Sequence, residues 1–147
     1  MILEILLVEN SATTVFLVKR ALTRWKSPYN LHAVSTAEEA LNFINREGDH
    51  RGAPRPHITL LDLNLPDEPG FTVLKAIKDN PDFRNIAVVV MSNSVAPSDI
   101  KKAVELHTNA FIPKPVDWEA VEKMFEALES FWRLDVRFRM RDPLWIP

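Results

Sequence analysis

Four short apolar runs punctuate the chain, and each stops at a polar residue: Ile5-Leu6-Leu7-Val8 at Glu9, Ile58-Thr59-Leu60-Leu61 at Asp62, Val88-Val89-Val90-Met91 at Ser92, and Ala110-Phe111-Ile112-Pro113 at Lys114. Continuous apolar runs of this length, rich in β-branched residues, are the mark of strands buried on both faces. Between them the period changes. Ser11 caps a predicted helix with Val15, Val18, Leu22 and Trp25 at helical spacing, ending before Pro28, and Leu31–Val34 is a short second strand. Thr36 with Glu39 has the form of a capping box opening a helix through Ala40, Leu41 and Ile44, with a stop near Gly48. Phe71, Val73, Leu74 and Ile77 define a third helix, a fourth opens at Pro97 or Ser98 and runs through Leu106, and Asp117 caps a long fifth. The strands between are predicted at 86–91 and up to Phe111, and residues 63–70 form a loop because Pro66 and Pro69 exclude strand and helix there.

The pattern is a strand–helix unit repeated five times. It predicts an α/β fold: a single (βα)5 doubly wound five-stranded parallel sheet, flavodoxin-like, with right-handed crossovers and helices on both faces. Ligands in such sheets bind beyond the carboxyl ends of the strands, so the four polar breaks are expected to converge. From Arg133 the period becomes two, with Leu134, Val136, Phe138 and Met140 apolar and the residues between them charged. The domain organisation read from this change is a domain over 1–132 and an extended arm over 133–147. The arm's apolar face, with Trp132 and Trp145, needs a partner, and a homodimer built by this arm is expected.

Composition narrows the function. The 147 residues suit one domain, and the absence of cysteine removes disulfides, thiolate nucleophiles and zinc–cysteine sites and makes a cytoplasmic location the default. A net charge of −2 gives no reason to expect nucleic acid on the main body, and in the arm Arg133, Arg137, Arg139 and Arg141 stand against two aspartates, a small surplus on what is expected to be a solvated face. No apolar stretch approaches the ~20 residues that span a bilayer, so no membrane contact is expected. The 3 glycines do not stand in a phosphate-loop or dinucleotide spacing, and the 4 histidines show no ligand spacing.

The converging residues suit phosphoryl transfer. Glu9, Asn10, Asp62 and the carbonyl of Asn64 can supply oxygen ligands to Mg2+, which takes one or two carboxylates and keeps water and phosphate oxygens besides. Asp62 is then the nucleophile, Lys114 a point charge for phosphoryl oxygens, and Ser92 a hydroxyl donor. Taken singly, each has an ordinary explanation: a turn aspartate, a loop serine, a solvated lysine. Lys114-Pro115 adds the expectation of a cis bond that aims the lysine.

Residues 2 to about 132 resemble the receiver domain of two-component response regulators, through Glu9-Asn10, the Leu61-Asp62-Leu63-Asn64-Leu65-Pro66 loop with Gly70, Ser92 after an apolar strand, and Lys114-Pro115. The resemblance implies that Asp62 accepts phosphate from a histidine kinase, that Glu9 and Asn10 occupy the metal-binding acidic positions, and that Asn64 contributes its carbonyl. It makes Ser92 and Phe111 the switch positions, although Phe111 lacks the hydroxyl that tyrosine would bring there. Residues 60–66, Glu105-Leu106-His107 and Glu129-Ser130-Phe131-Trp132 look like the small stand-alone regulators paired with phytochrome kinases. Such a protein is not an enzyme beyond its own phosphorylation and dephosphorylation, and its output passes through protein contacts.

One departure matters. The family's second acidic position is usually a carboxylate and is Asn10 here, which predicts weaker Mg2+ binding by about tenfold or more. The competing reading is a phosphorylation-independent interaction module that keeps the fold without the metal chemistry. A free-standing hydrolase is a third, weakened by the missing second acid after Asp62, where Asn64 stands. Retained phosphorylation is favoured because Asp62, Ser92 and Lys114 all persist.

Overall fold

In the computed structural model, residues 2–26, 28–93 and 96–131 are described. They form β1 (Leu3–Val8), α1 (Ala12–Leu22), β2 (Tyr29–Val34), α2 (Ala37–Asn45), a 3-10 turn (Gly48–His50), β3 (Ile58–Asp62), α3 (Gly70–Asp79), β4 (Ala87–Ser92), α4 (Pro97–Glu105), β5 (Ala110–Pro113) and α5 (Trp118–Phe131). The strands make one parallel sheet in the order β2-β1-β3-β4-β5. The order reverses between β1 and β3, which opens a crevice at the carboxyl ends of those two strands.

Alternation along the strands explains why the runs are apolar throughout. In β1, Leu3, Ile5 and Leu7 pack on one face against Val18 and Leu22 of α1 and Val121 and Met124 of α5. Leu6 and Val8 point the other way, into a core with Phe43 of α2, Leu74 and Ile77 of α3 and Ala103 of α4. Both faces are covered, so the central strands are mostly apolar up to their ends, with Glu4 of β1 and the buried Thr59 of β3 as exceptions.

Element bounds shift where hydrogen bonding decides them. β4 begins at Ala87, because the Ile86 N–H closes a turn onto Phe83 O at 2.8 Å. β2 begins at Tyr29, held in register with Leu3. β5 continues to Pro113 opposite Ser92, a place open to proline because β5 is the sheet's edge strand. α2 ends earlier than Gly48: Arg46 takes the left-handed conformation (φ 57°), with its N–H on Phe43 O and Glu47 N–H on Asn42 O. α4 ends the same way at His107 (φ 67°). Thr36 Oγ1 accepts from Glu39 N–H at 3.0 Å, but the Glu39 carboxylate reaches back to Ser35 N–H at 3.4 Å rather than to Thr36.

The expected cis Lys114–Pro115 bond is corrected: no peptide bond among the described residues is cis. The lysine is aimed instead by the sheet, since Lys114 N–H donates to Ser92 O at 3.0 Å one residue past β5. Residues 132–147, with Trp132, Leu134, Val136, Phe138, Met140 and Trp145, lie outside the described residues.

Candidate functional site

Three charged side chains from the ends of β1, β3 and β5 meet beneath the surface. Lys114 Nζ donates to Asp62 Oδ2 at 3.0 Å and to Glu9 Oε1 at 3.2 Å. Glu9, Asp62 and Lys114 are all buried, at 2%, 1% and 8% exposure, so their attraction is little screened by water. The lysine, expected across the pocket, sits between the carboxylates. The cluster carries one net negative charge when all three groups are ionised.

The backbone trims the carboxylates into place. Glu9 Oε1 accepts from Ser11 N–H at 3.0 Å, and Asp62 Oδ1 accepts from Asn64 N–H at 2.9 Å. Gly70, the first residue of α3, lies so close to β3 that a Cβ there would stand 2.1 Å from the Asp62 carbonyl oxygen. Its N–H donates to Leu63 O at 2.8 Å, which closes the 63–70 loop. A Pro-Gly pair at a helix start is the local signal for this contact, and only the fold shows that the contact is with Asp62 itself.

Burial is the largest influence on Glu9 and raises its pKa, with the Asp62 charge adding to the rise against the lowering bonds from Lys114 and Ser11. For Lys114 burial works against the charged amine, yet its bonds to Glu9 and Asp62 outweigh burial and the pKa is raised.

Ser92 ends β4 and is buried at 1% exposure. Phe111 pairs with Val90 and is partly buried in the core shared with α2, α3 and α4, on the opposite face from Ile112. Pro115 is buried and Pro66 exposed. Asn10 is exposed at the rim, where with Asn64 and the 65–69 segment it borders a hollow of about 370 Å3. It does not join the buried cluster, although its neighbour Glu9 does.

The donor set suits a hard cation. It offers two carboxylates, the Asn64 carbonyl and the Asn10 amide, all through oxygen. Glu9 Oε2 lies 2.9 Å from Lys114 Nζ, yet no hydrogen bond among the described residues is directed onto it, so this buried oxygen keeps a lone pair for a cation. Among the described residues there is no group of three or more His, Cys, Asp and Glu side chains placed to hold a metal.

One residue of the loop carries no local signal of its role. Asp67 bonds the N-terminus of α2, with Oδ1 accepting from Ala37 N–H and Oδ2 from Glu38 N–H, both at 3.0 Å. Its partners are 30 and 29 residues earlier, so no neighbouring pattern marks it. Among the described residues no helix is long and apolar enough to cross a membrane.

The model of the response regulator receiver domain matches residues 5–126. Response regulator Rcp1 of Synechocystis sp. is 38% identical over 128 residues, covering 87% of each chain. The probable methanogenesis regulatory protein FilR2 of Methanothrix harundinacea is 33% identical over 129 residues, covering 87% of this chain and 82% of that one. Among solved structures, the phosphorylated cyanobacterial phytochrome response regulator RcpA superposes with a TM-score of 0.84 at 34% identity, covering 91% of this chain and 96% of that one. The Mn2+-bound form of Rcp1 gives 0.82 at 34% identity with 98% of both chains covered. With the strand order, the buried Glu9–Lys114–Asp62 cluster and these matches, the chain belongs to the response regulator receiver domain family, among relatives that include phytochrome response regulators.

Proposed function

We propose that this receiver accepts a phosphoryl group on Asp62 from a histidine kinase, a phytochrome kinase being the favoured donor, and signals through protein contacts. The observation that carries the reading is Lys114 Nζ bonded to both Asp62 and Glu9 at the strand ends, with Asp62 oriented by Asn64 N–H. An aspartate so placed is oriented and next to a cation. The phytochrome pairing rests on the similarity to RcpA and Rcp1.

A carboxylate oxygen of Asp62 attacks the phosphorus of a phosphoimidazole. A P–O bond forms as the P–N bond breaks, the bonding pair stays on the imidazole nitrogen, and that nitrogen takes a proton from water. Among the described residues, two of the three Lys114 donors are used by Glu9 and Asp62, leaving the third for a phosphoryl oxygen. Ser92, at the end of β4, supplies a hydroxyl to another phosphoryl oxygen. Mg2+, when held by Glu9, Asp62, the Asn64 carbonyl and Asn10, supplies charge that offsets the repulsion between carboxylate and phosphoryl oxygens. Hydrolysis returns the carboxylate when water attacks phosphorus and the Asp62 P–O bond breaks.

Intact-mass measurement after incubation with acetyl phosphate and Mg2+ tests the reading. One phosphoryl adduct is expected on the wild type and none on Asp62→Asn. An unmodified wild type at high Mg2+ would overturn it in favour of a phosphorylation-independent module.

The division into a receiver over 1–132 and an arm over 133–147 is part of the proposal, as is a homodimer formed through the arm. The period-2 alternation of Leu134, Val136, Phe138 and Met140 supports it.

A further inference from the structure

Asp67 is an exposed carboxylate with an unusual set of partners. An α-helix leaves its first four N–H groups without intrahelical acceptors. In α2 the N–H of Glu39 goes to the Thr36 hydroxyl, as the local sequence predicts. Those of Ala37 and Glu38 go one each to the two oxygens of Asp67. The bonds are charge-assisted, and the carboxylate lies at the positive end of the helix. The backbone N–H groups, that of Ala37 foremost, hold the Asp67 carboxyl below its usual range.

The other bonds that shape the 63–70 loop are internal to it or run to β3, β4 and the first turn of α3. Asn64 N–H reaches Asp62 Oδ1, Gly70 N–H reaches Leu63 O, Leu63 N–H reaches Met91 O at 3.4 Å, and Asn64 bridges Pro69. Asp67 reaches outward. It lies five positions after Asp62 and three after Asn64, the residue whose N–H orients the Asp62 carboxylate and whose carbonyl belongs to the cation donor set.

We propose that Asp67 is a positioning residue, which clamps the phosphoacceptor loop to the N-terminus of α2 and thereby holds Asn64 and Asp62 in register. Loop and helix start then form one rigid unit, and α2, which contributes no side chain to the site, controls its geometry. The effect on phosphorylation rests on the reading of Asp62 as phosphoacceptor; the effect on loop order does not.

Two variants of the full chain separate positioning from helix capping. Asp67→Ala and Thr36→Ala both remove acceptors from the start of α2, but only the first cuts the link to the loop. Amide hydrogen exchange over residues 63–70, Mn2+ affinity and the initial rate of phosphorylation by acetyl phosphate are measured on each. In Asp67→Ala, exchange in the loop is expected to rise about tenfold, as for a segment released from its anchor. Phosphorylation is expected to slow by about fivefold or more, the cost of a misplaced nucleophile. Thr36→Ala should speed exchange at the start of α2 and leave the loop, Mn2+ affinity and phosphorylation rate unchanged. Asp67→Asn, which retains one acceptor, should fall between Asp67→Ala and wild type. Unchanged loop exchange in Asp67→Ala, or equal slowing in Thr36→Ala, would overturn the proposal. A wild type that takes no phosphate would instead count against the Asp62 reading, while loop exchange still decides the role of Asp67.

Discussion

Asn10 and His57 show how much a single side chain's surroundings decide. Asn10 stands at the rim beside the buried Glu9, so Asn10→Asp adds a charge where water still reaches it and a cation can enter. Mn2+ and Mg2+ are expected to bind about tenfold more tightly to that variant, the scale on which altered metal-site partners act. Calorimetric titration checks this, and equal affinities would show that Asn10 takes no part in the donor set. His57 lies at the other end of the sheet, where its Nδ1 accepts the Glu4 N–H at 2.9 Å. Burial keeps the ring neutral and lowers its pKa from the ordinary 6.5, with the charge of Glu4 pulling the other way. A lowered folded value means that the stabilisation is present above pH 6.5 and is lost as pH falls through the folded value. Denaturation of wild type and His57→Asn across that window should show wild type losing more stability on acidification; parallel curves would refute the assignment. The residues at the strand breaks were legible because each interrupts an apolar run. Asp67 was not, since its meaning depends on a helix about 30 residues away.

Between elements, helix ends carry the unusual backbone. Gly70 starts α3 against the end of β3, and a Cβ there would meet the Asp62 oxygen at 2.1 Å, Leu63 Cα at 2.8 Å and Asp62 C at 2.9 Å. All three are backbone atoms that no rotamer change can move aside. Gly70→Ala is expected to cost about 3 kcal/mol, at the upper end of overpacking, and to disturb Asp62 directly. Urea unfolding measures the cost, and a shift below about 1 kcal/mol would mean that the helix start yields easily. With only 3 glycines in the chain, α2 and α4 stop on Arg46 and His107 in the left-handed conformation. The His107 side chain is exposed, so His107→Gly is expected to raise stability by about 0.5–1 kcal/mol, strain relieved less the backbone entropy that glycine adds to the unfolded chain. Loss of stability in that variant would show that the imidazole contributes more than its backbone costs. The helices were readable from periodicity, and their stops to within a few residues of Gly48 and at Leu106, but the left-handed residues that make the stops were not, because glycine, the usual signal, stands at neither.

The described residues form a sheet covered on both faces, and the candidate site at its carboxyl end is built from residues far apart in the chain. Its partners are expected to include a second copy: removing residues 133–147 should convert a dimer to a monomer by light scattering, and an unchanged mass would dismiss the arm as the contact. The succession of strands and helices, the burial of the sheet on both faces and the polar residues that close four of the five strands are all legible in the amino-acid sequence by itself. Each is a local matter of period, capping and turn chemistry, written in residues that are neighbours in the chain. The peptide before Pro115 shows the limit of such reading: local sequence suggested cis, and the edge strand's hydrogen bond to Ser92 aims the lysine through a trans bond. The placement of Lys114 between Glu9 and Asp62 joins residues 105 and 52 apart. The clamp of Asp67 on α2 is likewise set by strand order. Those contacts belong to the tertiary structure alone, because packing and the crossing of chain segments choose which polar groups meet, and no local pattern carries that choice.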